Sequence, residues 1–159
     1  MDMYPESDQS VAAASLPETP DRPASQIGFV SIVIAAFNEE DGIARTIEDV
    51  RRTMSESTHD YEIIIVDDGS EDKTAERTRQ AGARLIQHDM NRGYGASLKT
   101  GIRAAKGDWI VITDADGTYP NDRIPDLLKY AGENDMVVGA RLGGASKIPL
   151  IRRPVKWLL

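Results

Sequence analysis

Apolar runs of strand length alternate with stretches of helical period from Phe29 onward, and this alternation constrains the fold most strongly. It is typical of a parallel sheet whose strands are joined by crossover helices. The runs are rich in β-branched residues and alternate little, as expected of strands covered on both faces. We therefore predict an α/β domain with a mainly parallel sheet. The predicted strands are 30–36, 61–66, 83–87, 109–113 and 136–138.

Helical periodicity fills the gaps between the predicted strands. Four apolar residues, Ile43, Ile47, Val50 and Met54, fall on one face of a helix that follows Asn38. Three more stretches between strands have helical character and recognisable start or stop signals. These further predicted helices are 72–81, 96–105 and 122–130.

The two ends of the chain differ in composition from this central region, 29–145, which we predict to be the folded domain. Residues 1–28 are rich in Ser, Ala, Pro and acidic residues, and we expect a disordered leader. Residues 146–159 mix basic and apolar side chains and end without a helix cap, which indicates a truncated chain. Apolar surface exposed there would favour a homo-oligomer.

Composition narrows the expected partners and the kind of metal site. The formal net charge of −7 at pH 7 disfavours nucleic acid as a partner. There is no cysteine and there are only two histidines, so any metal ion is expected to be held by oxygen. No apolar run has transmembrane length, and the polar N-terminal segment does not match a signal peptide. The expected location is therefore cytoplasmic.

Polar residues follow each predicted strand, at the sheet edge where open α/β folds bind ligands. Asp114 and Asp116 end the fourth strand two residues apart, so on an extended chain both carboxylates point the same way. Mg²⁺ and Mn²⁺ are commonly held by one or two carboxylates together with substrate phosphates. The pair predicts a divalent-cation site for a phosphorylated ligand. A plain Asp-Gly turn is the alternative.

A second pair of carboxylates, Asp67 and Asp68, leaves the second strand side by side. Adjacent like charges bring no structural gain, so we expect one of them to face the ligand cleft. There a carboxylate can accept hydrogen bonds from a nucleobase or a ribose. The alternative is a turn that caps the next helix.

The stretch "NRGYGAS" is glycine-rich but matches no phosphate-binding loop, because it lacks both the third glycine of the dinucleotide fingerprint and the Walker lysine. Its glycines, Gly93 and Gly95, are interpreted as allowing close backbone approach, for packing or for a ligand. His59 and His88 lie in polar stretches, and we predict that both are solvent-exposed and have no functional role.

Four stretches read together resemble family 2 of the glycosyltransferases: "SIVIAAFNEED", "IIIVDDGSEDKT", "NRGYGASLKTGIRAAKGDWIVITDADGTYP" and "MVVGAR". The resemblance covers residues 31 to about 141 and is specific as a combination. Within the family, the sequence is most similar to polyprenyl-phosphate sugar transferases of the dolichyl-phosphate mannose synthase type. The resemblance implies the GT-A fold and metal-dependent, inverting transfer of a sugar from a UDP- or GDP-linked donor to dolichyl or undecaprenyl phosphate.

The resemblance also implies roles for residues of the donor site. Phe37 and Glu39 lie where the family places groups beside the base and the ribose, and Asp68 lies where it places a base-contacting carboxylate. Phe37 replaces the usual tyrosine, so it can stack but cannot donate a hydrogen bond. Asp114 and Asp116 match the metal-binding Asp-x-Asp, with Asp116 also predicted as catalytic.

The same resemblance also implies roles for basic residues. Arg141 is implied to reach the diphosphate as a catalytic group, and Arg92 and Lys99 lie in the segment that lines the nucleotide cleft. The basic and apolar segment 146–159 suits a membrane surface with anionic lipids, where Arg152 or Arg153 would hold the lipid phosphate. This places the protein peripherally at the cytoplasmic face of the membrane. An ordinary amphipathic helix is the alternative.

A phosphate acceptor is already anionic at neutral pH, so its attack on the sugar needs little help from a general base. The metal ion and Arg141 would offset charge on the leaving nucleoside diphosphate. Two other functions stay open. A glycosyltransferase acting on a polysaccharide hydroxyl would need a catalytic carboxylate, and a nucleotide-binding module would bind the donor without catalysis.

Overall fold

A computed structural model of the protein describes residues 28–140, and within this range four strands form one parallel sheet. The strand order is β3-β2-β1-β4. The strands are β1 (Val30–Ala36), β2 (Tyr61–Asp67), β3 (Arg84–Gln87) and β4 (Trp109–Asp114). The helices are α1 (Ile43–Ser55), α2 (Thr74–Gln80), α3 (Tyr94–Ala104) and α4 (Ile124–Leu128), with a 3₁₀ turn at Asn121–Arg123. The predicted α/β class with a parallel sheet is confirmed.

β1 lies at the centre of the sheet and is buried on both faces. Val30 pairs in register with Tyr61 of β2 on one side and with Trp109 of β4 on the other. Because side chains alternate across a strand, one face of β1 packs with the apolar faces of α1 and α4, whereas Val33 packs on the other face. Leu98 of α3 lies against that second cluster. The expectation of strands covered on both faces is therefore confirmed for β1.

β4 does not follow that expectation within the described part of the chain. Its alternate residues Ile110 and Ile112 are exposed, Ile112 by 45% of its surface, whereas Trp109 and Val111 pack against the core. The face of β4 that carries the two isoleucines is thus uncovered by residues 28–140.

The predicted fifth strand at 136–138 is wrong. These residues are irregular in the structure, and Met136 has 78% of its surface exposed. A strand needs a neighbour to satisfy its backbone hydrogen bonds. In the described range, β4 pairs only with β1, so this apolar segment has no strand beside it.

The helices are where the sequence places them, with shifted bounds. α2 begins at Thr74 rather than at residue 72, because Asp72 stays outside the helix and its carboxylate accepts hydrogen bonds from the Thr74 and Glu40 amides. None of the helices within 28–140 is long and apolar enough to cross a bilayer. The expected disordered leader (1–28) lies outside the described residues except for Gly28, and the basic segment (146–159) lies wholly outside them.

Gly101 sets how closely α3 packs on the sheet, and this generates a stability prediction. A Cβ atom at Gly101 would overlap the Cγ1 methyl of Val33 and lie 3.1 Å from Cγ2 of Val66. Overpacking of this kind costs about 1–3 kcal/mol, which exceeds the gain of at most about 1 kcal/mol that alanine gives in a helix. We expect Gly101→Ala to lower the free energy of unfolding, measured by urea denaturation.

The control for this substitution is Gly95→Ala in the same helix, where a Cβ atom would meet nothing within 4 Å. This variant should be as stable as the wild type or slightly more stable. If Gly101→Ala proved as stable as Gly95→Ala, the close contact between α3 and the sheet would be disproved.

Candidate functional site

A cleft of about 420 Å³ opens at the carboxyl ends of β1, β2 and β4, beside the start of α3. Ligands bind at this edge in open parallel sheets. Five residues that the sequence predicts for the site line this cleft together: Phe37, Glu39, Asp68, Asp114 and Asp116. The cleft is also lined by Asn91, Gly93, Tyr94 and Ser97, for which the sequence predicts no individual ligand contact.

The loops that follow β1 and β2 are joined by hydrogen bonds between side chains and backbone amides. The Asn38 amide donates to Ser70 Oγ at 2.9 Å, and the Glu71 amide donates to Asn38 Oδ1 at 3.0 Å. The Glu39 amide donates to Thr74 Oγ1 at 2.8 Å. Asn38 has a φ of +54°, a conformation that asparagine tolerates better than most residues. These bonds fix the residues on either side of Asn38 at the rim of the cleft.

Asp68 is a buried carboxylate that accepts hydrogen bonds from several directions. Its Oδ1 lies 2.7 Å from Nδ1 of His88 and accepts the Arg92 amide at 3.0 Å. Its Oδ2 accepts the Gly93 amide at 2.7 Å. Burial alone would raise the pKa of Asp68, but the hydrogen bonds from His88, from these two amides and from Ser97 outweigh it and lower the pKa. Asp68 is therefore held as a carboxylate at the floor of the cleft.

Asp67 differs from its neighbour in both position and bonding. It is fully buried and does not line the cleft, and its Oδ1 accepts the Ser70 amide at 3.0 Å. Within residues 28–140, its Oδ2 has no hydrogen-bond partner. The expectation that one member of the pair faces the cleft is met by Asp68, and Asp67 instead supports the turn after β2.

The prediction that His88 is solvent-exposed is wrong. Only 8% of its surface is exposed, and Nε2 lies 2.9 Å from Thr100 Oγ1 while Nδ1 contacts Asp68. The surrounding sequence is polar, but the His88 amide donates to the Asp67 carbonyl at 2.9 Å. This bond extends the pairing of β3 with β2 by one residue. The other histidine, His59, is half-buried.

Asp114 and Asp116 both line the cleft, although not for the reason that the sequence suggests. The strand ends at Asp114, whose Oδ1 accepts the Tyr94 hydroxyl at 2.9 Å. Asp116 lies in the following turn and accepts the Thr118 amide at 2.9 Å, so the extended-chain argument is wrong. Asp116 thus supports a turn and lines the cleft at the same time, whereas Asp114 lines the cleft from the end of the strand.

The charge of the cleft suits a hard cation. The pKa of Glu39 is raised, first by burial and then by the nearby carboxylates of Asp116, Asp72 and Asp114. Among residues 28–140, no three His, Cys, Asp or Glu side chains form a metal-binding group. Two carboxylates without nitrogen or sulfur donors fit Mg²⁺ or Mn²⁺ when the remaining ligands are water and phosphate oxygens.

Tyr94 was not predicted as a site residue, because the sequence presents it only as part of a glycine-rich turn. It is the first residue of α3, and its hydroxyl reaches across the cleft to Asp114. Burial raises the pKa of Tyr94 to about 12, helped by the hydrogen bond to Asp114 and the charge of that carboxylate. The phenol is therefore a neutral donor that orients Asp114.

Gly93, just before α3, and Gly95, in its first turn, are not there for close packing. Gly93 has a φ of +91° and lines the cleft, but a Cβ atom on Gly93 or Gly95 would meet nothing within 4 Å. The close approach occurs at Gly69, whose φ is +76° and which lies against the backbone of Met90.

The predicted basic residues are not brought to the cleft by the described part of the chain. The side chains of Arg92 and Lys99 are exposed and do not line it, and Arg92 contributes through its backbone amide. The remaining predicted basic residues, Arg141, Arg152 and Arg153, lie outside the described residues.

The parallel sheet and the carboxylate-lined cleft at its carboxyl edge define an α/β domain with an acidic cleft at the edge where such folds bind ligands. Residues 31–157 match the family described as Glycosyl transferase family 2, and the protein belongs to this family.

Two relatives from different organisms are similar to this chain in sequence. The chain is 35% identical over 138 residues to an undecaprenyl-phosphate 4-deoxy-4-formamido-L-arabinose transferase of Pseudomonas fluorescens, covering 83% of this chain and 41% of the relative. It is 38% identical over 117 residues to the low-salt glycan biosynthesis hexosyltransferase Agl6 of Haloferax volcanii, covering 72% and 28%. The chain thus spans less than half of the length of either relative.

Solved structures with the same fold include glucosyl-3-phosphoglycerate synthase of Mycobacterium tuberculosis. Its complex with UDP has a TM-score of 0.60 and 26% identity, and the match covers 72% of this chain and 43% of that one. Its complex with Mn²⁺, UDP and glucosyl-3-phosphoglycerate has a TM-score of 0.59 and 28% identity, covering 69% and 42%. The GT-A fold predicted from the sequence is confirmed.

The hydrogen bonds of Asp68 generate a prediction about stability and pH. Asp68→Asn should lower the free energy of unfolding at pH 7 by about 2–4 kcal/mol, because buried donors lose a charged acceptor. The pKa of Asp68 in the folded protein is lower than its ordinary value of 3.8. The carboxylate therefore stabilises the fold at pH values above 3.8, and this contribution is lost as the pH falls through the folded-state pKa. The difference between the two proteins should therefore shrink towards acid pH.

Urea denaturation between pH 3 and pH 7 measures this difference. Asp89→Asn, at an exposed position in the loop between β3 and α3, is the control and should match the wild type. Equal stability of Asp68→Asn and the wild type at pH 7 would contradict a supporting role for the Asp68 carboxylate.

Proposed function

We propose that this chain carries the donor site of an inverting, metal-dependent glycosyltransferase that transfers a sugar from a nucleotide sugar to a polyprenyl phosphate. The observation that carries this proposal is the meeting of Phe37, Asp68, Asp114 and Asp116 in one cleft, because the family resemblance assigns the same four to base and metal binding. They come from the ends of three different strands. Such convergence is more than a turn or a helix cap requires.

The base would lie between Phe37 and Asp68. Phe37 has 43% of its surface exposed at the cleft, so its ring is free to stack on a base. Asp68 offers acceptor oxygens to the base N–H groups. UDP is the favoured nucleotide, since the Mycobacterium tuberculosis synthase has been crystallised with UDP and with UDP-glucose. GDP is the second candidate.

The diphosphate would lie next to Asp114 and Asp116. A bound Mg²⁺ or Mn²⁺ supplies positive charge that stabilises the leaving nucleoside diphosphate. Asp114 and Asp116 would hold the ion, with Tyr94 fixing the orientation of Asp114. The negative charges of Asp114 and Asp116 contribute to the raised pKa of Glu39. This concentration of negative charge supports a cation at this place. Arg141 would add a second positive group to the diphosphate.

The acceptor proposal is supported by the relatives, several of which are undecaprenyl-phosphate transferases. A phosphate acceptor supplies its own negative charge, so the cleft needs no separate general base. The segment 146–159 would contact anionic lipid at the cytoplasmic face of the membrane, where Arg152 or Arg153 would hold the lipid phosphate.

The donor-site proposal predicts that UDP binding depends on a divalent metal ion and on Asp116. In calorimetric titrations, Mn²⁺ should strengthen UDP binding to the wild type. Asp116→Asn, which keeps an acceptor for the Thr118 amide, should lose about tenfold or more in affinity with Mn²⁺ present. Glu56→Gln, at the exposed end of α1, is the control and should bind like the wild type. Metal-independent UDP binding would overturn the proposed metal site.

The acceptor proposal predicts transfer of labelled sugar from a nucleotide sugar into an organic-extractable lipid when undecaprenyl phosphate is supplied. A panel of labelled UDP- and GDP-sugars with Mn²⁺ provides the donors, and Asp116→Asn provides the inactive control. Label that enters only an added polysaccharide would favour the hydroxyl-acceptor alternative. Nucleotide binding without transfer to either acceptor would favour the non-catalytic module.

A further inference from the structure

His88 is a buried residue to which the proposed reaction assigns no role. It directly follows β3, and its amide is fixed by the Asp67 carbonyl at 2.9 Å. Its ring then spans two polar groups, Asp68 Oδ1 at 2.7 Å and Thr100 Oγ1 at 2.9 Å. The ring is therefore anchored through its backbone and through both of its nitrogens.

The direction of these hydrogen bonds follows from the chemistry of the partners. The Asp68 carboxylate can only accept, so Nδ1 of His88 carries the proton that it donates. In the neutral ring with this tautomer, Nε2 carries no proton and accepts a hydrogen bond from the Thr100 hydroxyl. Thr100 belongs to α3, which packs on the sheet. His88 thus connects Asp68 to the packed part of the fold.

Two further donors to Asp68 are backbone amides. The Arg92 and Gly93 amides belong to the turn before α3, and Gly93 itself lines the cleft. These two amides fix the orientation of the Asp68 carboxylate only if the turn before α3 is itself fixed. Hydrogen bonds from His88 and from Ser97 of α3 tie Asp68 to residues outside that turn, and of these two donors His88 is the one that follows β3.

We propose that His88 is a positioning residue for nucleotide recognition, which aims the Asp68 carboxylate at an N–H group of the bound base. The proposal rests on the proposed function, because it requires the base to contact Asp68. It goes further by assigning the base discrimination to a pair of residues rather than to Asp68 alone. The base class that it selects has an imide N–H, as uracil does at N3.

Matched substitutions separate the two contacts of the ring. Asparagine places its amide nitrogen near the position of Nδ1, so His88→Asn keeps a donor for Asp68 and loses the bond to Thr100. Glutamine places its amide near the position of Nε2, so His88→Gln keeps a partner for Thr100 and loses the bond to Asp68. Thr100→Val removes only the far contact and leaves the ring in place.

The test is calorimetric titration with three probes in Mn²⁺: UDP, UDP methylated at N3 of uracil, and inorganic pyrophosphate. The wild type should bind UDP about tenfold more tightly than the N3-methyl analogue, as expected for one hydrogen bond to a charged acceptor. His88→Gln should lose most of this preference, His88→Asn should keep most of it, and Thr100→Val should be intermediate. Pyrophosphate affinity should be the same in all four proteins.

The probes distinguish failure of this proposal from failure of the donor site. If the wild type binds neither UDP nor pyrophosphate, the proposed function fails. If the wild type prefers UDP over its N3-methyl analogue and His88→Gln keeps that preference in full, the positioning role of His88 is disproved while the donor site stands. If His88→Gln does not fold, the comparison of His88→Asn with Thr100→Val decides, and an unchanged preference in Thr100→Val overturns the linkage through α3.

Discussion

The buried carboxylate of Asp68 holds together the parts of the molecule from which the cleft is built. It extends from the end of β2, meets a side chain that follows β3, and accepts two amides from the turn before α3. A buried charge is costly unless it is fully hydrogen-bonded, so these partners are energetically coupled to one another. The cleft therefore depends on a polar contact, whereas the sheet beneath it depends on apolar packing.

Much of the fold follows from local pattern. β1 has the predicted bounds because its apolar residues are buried on both faces, which the continuous apolar run indicates. The run at 136–138 has a similar composition but is irregular, since pairing requires a neighbouring strand that an apolar run cannot reveal. α2 begins two residues later than predicted, since Asp72 stays outside the helix and its carboxylate accepts the amide of Thr74, the first helical residue.

The candidate site was predictable where its residues share a short motif. Asp114 and Asp116 are two positions apart and were identified from this motif, although Asp116 lies in the turn after β4 and not on an extended strand. Tyr94 and His88 were missed because their partners are 20 residues away along the chain. Only the arrangement of the strands brings such residues together, and a polar sequence around a histidine does not indicate whether its ring points inward.

The central position of β1 has a consequence for how the protein is made. Of the described strands, β1 is synthesised first, yet its partner β4 lies beyond three helices and two strands that follow it. Parallel pairing between such distant segments is slow, because the intervening chain must be ordered first. During that interval, one edge of β1 and its apolar residues are uncovered, and the nascent chain is open to aggregation or to capture by a chaperone.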